Sequence, residues 1–188
     1  MKEYRPLLLM EKGLNIPVLD IPRIVIVGGG FAGLKLAKGI NSKYYQTVLV
    51  DKNNYHTFQP LMYQVASSGL EPDSIAYPLR KVFKSKKRFH FRMADVLKVD
   101  EQSKTLHTSI GDIGYDILVI ATGADSNFFG MENVQKHSMP MKNLVESLNL
   151  RSHILRNFEK ALNTKDLSEQ EALMSFVIVG GVPSAPTE

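Results

Sequence analysis

The chain is 188 residues long and contains no cysteine. Within these residues that excludes a disulfide framework, a cysteine zinc site and any step that needs a thiol. Long apolar runs are also lacking, since none approaches the roughly 18 residues that a membrane-crossing helix requires. Residues 1–22 hold one short apolar block, Leu7 to Met10, followed at once by Glu11 and Lys12 with no small-residue cleavage site. They therefore read as an extension leading into the domain, not as a secretory signal, and the chain is expected to be cytoplasmic. His90, His107, His137 and His153 show no metal-ligand spacing, so no metal site is expected.

The composition is 44% hydrophobic and 22% charged, which is ordinary for a globular protein. The length suits one domain, or one domain and a piece of a second. Much of the net charge of +4 comes from Arg80, Lys81, Lys84, Lys86, Lys87, Arg88 and Arg92. Without interleaved stacking aromatics or a recognition motif this cluster reads as a solvated helix end and loop, and no nucleic-acid partner is expected. Docking on anionic lipid is the alternative reading of the cluster.

Four runs, Ile24 to Val27, Thr47 to Val50, Ile117 to Ala121 and Phe176 to Val179, are apolar throughout. Strands that are covered on both faces look like this, as in a parallel sheet flanked by helices, whereas a one-sided sheet would alternate. Between the first two runs Ala32, Leu36 and Ile40 recur every four residues and predict one helical face, which completes a βαβ unit. Phe89 to Met93, Val96 to Val99 and Thr105 to Thr108, separated by the polar Asp100 to Lys104 and by Gly111 to Gly114, predict a small antiparallel excursion. From Asn143 to Leu162 the spacing of Leu144, Leu148, Leu155, Phe158 and Leu162 predicts a helix with one apolar stripe, and the polar residues 163–171 read as a linker. Met131, Met139 and Met141 are expected to fill the core.

The strongest motif is Gly28, Gly29, Gly30, Phe31, Ala32, Gly33, a G-x-G-x-x-G that follows a strand and opens a helix. Gly28 permits the tight turn, Gly30 leaves room for a pyrophosphate, and Gly33 lets helix and sheet pack closely. The phosphates would sit on unpaired amides at the positive end of the helix. Asp51 ends the second strand and is placed to accept hydrogen bonds from adenosine ribose hydroxyls, and its charge disfavours a 2′-phosphorylated ligand. Strand, motif, helix, strand and acid in this order point to a dinucleotide; the motif alone does not choose between FAD and NAD.

Tyr115 to Gly123 then supply a second strand end with the A-T-G element Ala121, Thr122, Gly123, and another glycine turn begins at Gly180. The stretch Val50-Asp51-Lys52-Asn53-Asn54-Tyr55-His56-Thr57-Phe58-Gln59-Pro60-Leu61-Met62-Tyr63-Gln64-Val65-Ala66 is the most specific. On these residues the chain resembles the two-dinucleotide flavoproteins, and within them the type II NADH:quinone oxidoreductases, over residues 20–181. The resemblance implies a Rossmann-like FAD-binding domain over residues 23–140, a helix and linker over 141–171, and the start of an NADH-binding domain over 172–188. It implies that Gly28, Gly30, Phe31, Ala32 and Gly33 line the FAD pyrophosphate and that Asp51 and Lys52 meet the ribose. Ser67, where the family usually carries threonine, would reach the flavin side, Val96 would touch the adenine through its backbone, and Ala121, Thr122 and Gly123 would close over the pyrophosphate. The implied activity is hydride transfer from NADH to FAD and delivery of electrons to quinone, with peripheral membrane association of the full-length protein. His56, between aromatic neighbours, reads as structural rather than as a proton carrier.

The second turn departs from the family pattern. Gly180 and Gly181 are followed by Val182, Pro183, Ser184, Ala185, Pro186, Thr187 and Glu188. Val182 stands where the family has its second glycine of the motif, and a branched side chain there would occupy the space a pyrophosphate needs. The expectation is a fragment or an interrupted gene product that keeps the flavin-holding part and does not turn over NADH by itself. A non-catalytic nucleotide-binding or self-associating module is the other reading, with homo-oligomerisation through the apolar stripe of the 143–162 helix.

Overall fold

The structure, a computed structural model, describes residues 14–179. Its centre is a parallel four-stranded sheet built from β1 (Arg23–Val27), β2 (Gln46–Asp51), β5 (Phe89–Met93) and β9 (Ile117–Ile120), in the order β5-β2-β1-β9. Three of the apolar runs form strands as expected; every residue of β1 is buried, whereas β9, at the sheet edge, is not covered on both faces and leaves Ile117 and Ile120 exposed. Successive side chains of a strand point to opposite faces, so one all-apolar run feeds two cores. Val25, Val27, Val48 and Val50 face a cluster with Leu14, Ile16, Ala94, Leu106, Ile113 and Tyr115. Ile24, Ile26 and Leu49 face the other way, against Ala37, Leu79 and Phe83.

The second face is covered by α1 (Phe31–Gly39) and α3 (Leu79–Val82). The first is covered by an antiparallel sheet of β6 (Val96–Asp100), β7 (Thr105–Thr108) and β8 (Gly111–Gly114). The antiparallel excursion therefore exists, but its membership differs from the expectation. Phe89–Met93 belongs to the main sheet, running parallel to β2 from Thr47↔Phe89 to Asp51↔Met93. Gly111–Gly114, read as a separator, is the third strand, because Ile113 is an apolar anchor that pairs with Leu106.

Other departures have similar causes. In α1 the buried positions are Gly33 and Ala37, while Ala32 and Leu36 face solvent and Ile40 packs at the helix end. The helix is phased by a backbone contact at Gly33, described below, which outweighs the burial of Leu36. Residues 14–16, assigned to a leading extension, insert Leu14 and Ile16 into the core. This segment is tied down by polar groups: Arg92 donates to the Leu14 and Asn15 carbonyls at 2.6 Å each. The buried Arg23 donates to Gln46 Oε1 (2.7 Å), the Gly114 carbonyl (3.1 Å) and the Pro17 carbonyl (3.3 Å). Part of the basic cluster is likewise occupied in holding carbonyls: Lys86 Nζ caps the end of α1 at Ile40 (2.7 Å), and Arg88 holds the Ser42 and Lys43 carbonyls.

Beyond the sheet, β3 (Tyr55–Thr57) pairs antiparallel with β4 (Ala76–Pro78), and α2 (Met62–Ala66) lies between them in the chain. Met62, Val65 and Ile75 form a third cluster with Leu144 of α5 (Leu144–Asn163). A reciprocal cap fixes the start of α5, with Glu146 N–H donating to Asn143 Oδ1 (3.0 Å) and Asn143 N–H to Glu146 Oε2 (3.3 Å). Only the first half of the expected stripe packs on α2; Leu155, Phe158 and Leu162 are exposed. The expected linker 163–171 is largely helical, as α6 (Leu167–Met174) capped by Asp166. Hydrogen bonds to Ser168 and Glu169 hold the Asp166 carboxyl below the usual carboxylate range. Met141 packs in the third cluster, but Met131 and Met139 are exposed beside the short α4 (Glu132–His137) and do not fill a core. Phe176–Val179 is not a strand, since no neighbour pairs with it among the described residues. No helix among the described residues is long and apolar enough to cross a membrane.

Two residues of this packing make its stability measurable. Leu14→Ala opens a cavity at a 2%-exposed site and should cost about 2–5 kcal/mol, read as a lower urea midpoint at an unchanged slope. His90 on β5 is held below its ordinary pKa of 6.5, first by burial and then by the charges of Arg92 and Arg23. The unfolded chain thus takes up this proton at a higher pH than the folded one, and stability present above 6.5 declines as pH falls toward the folded value. In His90→Gln the drop in urea midpoint between about pH 7.5 and about pH 5.5 should shrink; an unchanged drop would refute the assignment.

Candidate functional site

All four parallel strands end at one edge of the sheet, at Val27, Asp51, Met93 and Ile120. From β1 the chain steps to β2 on one side, and β9 lies on the other, so the strand order reverses at the end of β1. In an open α/β sheet this reversal leaves a crevice outside the carboxyl ends of the strands, where ligands bind. The glycine motif is the lip of that crevice.

Gly28 leaves β1 with φ +105°, a conformation that L side chains rarely adopt, and its N–H donates to the Val50 carbonyl at 2.8 Å. A Cβ at Gly28 would strike the Ala121 carbonyl, so the A-T-G element lies directly against the turn. The contact is fixed by the sheet itself, because β9 runs alongside β1 and Ala121 N–H donates to the Val27 carbonyl at 2.7 Å. A Cβ at Gly33 would collide with the Gly28 carbonyl oxygen. The turn and the first turn of α1 can approach this closely only because Gly33 has a hydrogen atom there. At Gly30, by contrast, an added Cβ meets nothing within 4 Å. That side of the motif is open.

Gly30 is the N-cap of α1, and no side chain caps the helix. The first helical residues Phe31, Ala32 and Gly33 thus present their amides at the positive end of the helix dipole, with no acidic side chain in the first turn. This arrangement accepts an anion. Asp51, at the end of β2, faces the turn: Oδ2 accepts from Gly29 N–H at 2.5 Å and Oδ1 from Asn53 N–H at 2.7 Å. Its carboxylate therefore orders the turn itself, a role that the spacing of the motif does not announce. Each oxygen keeps a second lone pair for a ligand hydroxyl.

The other residues singled out from sequence are placed as follows. Lys52 is exposed immediately after Asp51. Val96 opens β6 opposite Thr108 and is partly buried against the first core cluster. Ala121 is partly buried beside the second cluster, with Thr122 and Gly123 exposed after it. Ser67 is exposed at the C-terminal end of α2, its hydroxyl donating to the Gln64 carbonyl at 3.4 Å. Gly180 and Gly181 lie outside the described residues. Three residues without a role in the sequence-based site also shape the turn. Gly29 carries two of its hydrogen bonds, Leu79 Cδ1 lies 2.8 Å from where a Gly29 Cβ would be, and His56 Nδ1 is 3.0 Å from the Gly29 carbonyl oxygen. The run of three glycines was the available signal for Gly29. No group of three or more His, Asp or Glu that could hold a metal occurs among the described residues.

The chain is similar to known proteins over the same span. It is 34% identical to the type II NADH:quinone oxidoreductase NdhA of Mycobacterium tuberculosis, over 86% of this chain and 35% of that protein. It is 31% identical to the external alternative NAD(P)H-ubiquinone oxidoreductase B4 of Arabidopsis thaliana, over 86% of this chain and 30% of that protein. A solved structure of NDH2 from Plasmodium falciparum in complex with NADH superposes with a TM-score of 0.72 at 25% identity, covering 80% of this chain and 32% of that one. The chain thus spans about a third of the length of these relatives. Residues 22–185 match the family described as pyridine nucleotide-disulphide oxidoreductase, and it is to this family that the chain, with its uncapped helix at the sheet's switch point, belongs.

Proposed function

We propose that the chain is the FAD-binding portion of a type II NADH:quinone oxidoreductase. The observation that carries the reading is the bare N-terminus of α1, opened at Gly30 and framed by Asp51 and Ala121 at the strand reversal. The residues present fit the cofactor: they offer free amides for a pyrophosphate, space where the phosphate must approach, and a carboxylate beside it for a sugar. Gly28, Gly30, Phe31, Ala32 and Gly33 would hold the pyrophosphate, and Asp51 and Lys52 the ribose. Val96 would meet the adenine through its backbone, Ala121, Thr122 and Gly123 would cover the pyrophosphate, and Ser67 would reach toward the flavin.

When bound, FAD supplies the two-electron chemistry by which NADH reduces quinone, and the protein positions it. The FAD domain would extend to about residue 140 and include the core residues Leu14 and Ile16, with residues 172–188 beginning the NADH domain and Gly180 and Gly181 in its turn. NADH and quinone are the substrates of the relatives by name, and we assign them to the whole protein of which this chain is the FAD-holding part, with peripheral attachment to the membrane. The family description includes a disulphide, yet these 188 residues supply no cysteine for one. Within these residues no disulphide step has a thiol to use.

One observation favours the second reading, a self-associating module. Phe158, Ala161, Leu162, Gln170 and Met174 line an apolar groove of about 370 Å³ between α5 and α6, with Leu162 80% exposed. Sedimentation together with absorbance in the flavin region separates the two. Flavin retained or regained by the purified chain supports the first, and a colourless oligomer that cannot be reconstituted supports the second.

Two glycine substitutions probe the site further. Gly30→Val should leave the thermal midpoint nearly unchanged, because nothing lies within 4 Å of its Cβ, while FAD binding falls at least about a hundredfold. Gly33→Val should lower stability by several kcal/mol through collision with the Gly28 carbonyl, whether or not FAD is present. Undiminished FAD binding by Gly30→Val would overturn the placement of the pyrophosphate.

A further inference from the structure

The Gly29–Gly30 peptide occupies an unusual place. Both flanking residues lack a side chain, so rotation of this peptide plane is less hindered than at any ordinary pair, and the turn by itself does not fix which way the plane faces. Its direction matters because the peptide bond is planar and trans: the Gly29 carbonyl and the Gly30 N–H point in opposite directions. In one orientation Gly30 offers an N–H to the open side of the motif. In the flipped one that side receives the negative end of a carbonyl.

His56 selects between them. Its Nδ1 lies 3.0 Å from the Gly29 carbonyl oxygen, and since a carbonyl oxygen only accepts, Nδ1 carries the proton in this contact. The ring is itself held edge-on against Phe31, the first residue of α1, with centroids 5.1 Å apart at 85°. Phe31 is packed in turn against Phe58 at 5.6 Å. The backbone of His56 is paired with Tyr77 in the β3–β4 ladder, so the strand is maintained without the imidazole. Asp51 acts in the same way on the preceding peptide. By taking the Gly29 N–H it turns the Gly28 carbonyl the other way, toward Gly33.

We infer that His56 is a positioning residue that locks the Gly29–Gly30 peptide with its N–H turned toward the anion site, so that it holds a dinucleotide pyrophosphate without touching it. The inference rests on the proposed FAD site. It also gives a physical role to the histidine within the Asn54 to Gln59 stretch.

The test compares His56→Asn, whose amide nitrogen falls where Nδ1 lies, with His56→Gln, whose amide falls where Nε2 lies, and with His56→Leu, which has no donor. Urea midpoints, FAD dissociation constants and the backbone amide NMR signals of Gly29 and Gly30 in the nucleotide-free chain are measured for all three. His56→Asn should bind FAD within about threefold of the parent and keep the Gly30 signal in place. His56→Gln and His56→Leu should bind about tenfold or more weakly, with a displaced or broadened Gly30 signal and little change in midpoint. The inference is overturned if His56→Leu keeps parental affinity and an unmoved Gly30 signal. It is equally overturned if all three variants lose affinity and stability together, which would make the ring a packing element only. If the parent binds no FAD, the proposed function fails, while the Gly30 signal in the three variants still decides whether His56 holds the turn.

Discussion

Where β1 ends, the Gly28 carbonyl lies against the first turn of α1 so closely that only the hydrogen of Gly33 fits between them. The rest of the edge at the strand reversal follows from this contact. It brings the helix axis down onto the sheet, sets the rotation of α1 so that Gly33 and Ala37 face inward, and leaves Leu36 in solvent. It also places the uncapped amides of Phe31, Ala32 and Gly33 directly over the strand reversal, where a phosphate can reach them. A side chain at Gly33 would force α1 off the Gly28 carbonyl, and one at Gly28 would drive the turn into the Ala121 carbonyl.

Two further constraints keep the turn in that shape. The sheet register lays Ala121 beside Gly28, so β9, more than ninety residues later in the chain, forms one wall of a turn made by β1. Asp51 forms another by taking the Gly29 N–H, which joins the end of β2 to the end of β1 by a side chain as well as by the ladder. A carboxylate in this position holds the turn, and in the proposed function it also faces a sugar. Loss of the first role would resemble loss of the second in any experiment that measures ligand binding alone.

The outer layers serve the same edge. Leu14, Ile16 and the β6–β8 sheet seal one face of the parallel sheet, with the buried Arg23 bridging Pro17, Gln46 and Gly114. The polar anchors replace what a longer apolar segment would supply, since a buried guanidinium that satisfies several acceptors fixes geometry as well as burial. At the other end α5 is rooted by its capping box and by Leu144 in the third cluster, while its second half and α6 carry their apolar side chains outward.

Sequence by itself determined the parallel sheet, the glycine turn and the acid after β2, because these rest on local rules: all-apolar strands, a positive φ at Gly28, and fixed spacing from turn to acid. The start of α5 was legible from the apolar spacing that begins at Leu144, and the Asn143–Glu146 cap that fixes it is likewise local, within four residues. Only the tertiary structure decided what depends on groups distant in the chain. Periodicity assigned α1 the wrong inward face because Gly33 answers to a carbonyl and not to hydrophobicity. Phe89–Met93 joined the main sheet because a strand's partner is set by register with β2, which its own residues do not encode. The roles of Gly29, Leu79 and His56 stayed hidden because two hydrogen bonds and a methyl contact, across 22, 27 and about 50 residues, exist only once the chain has folded.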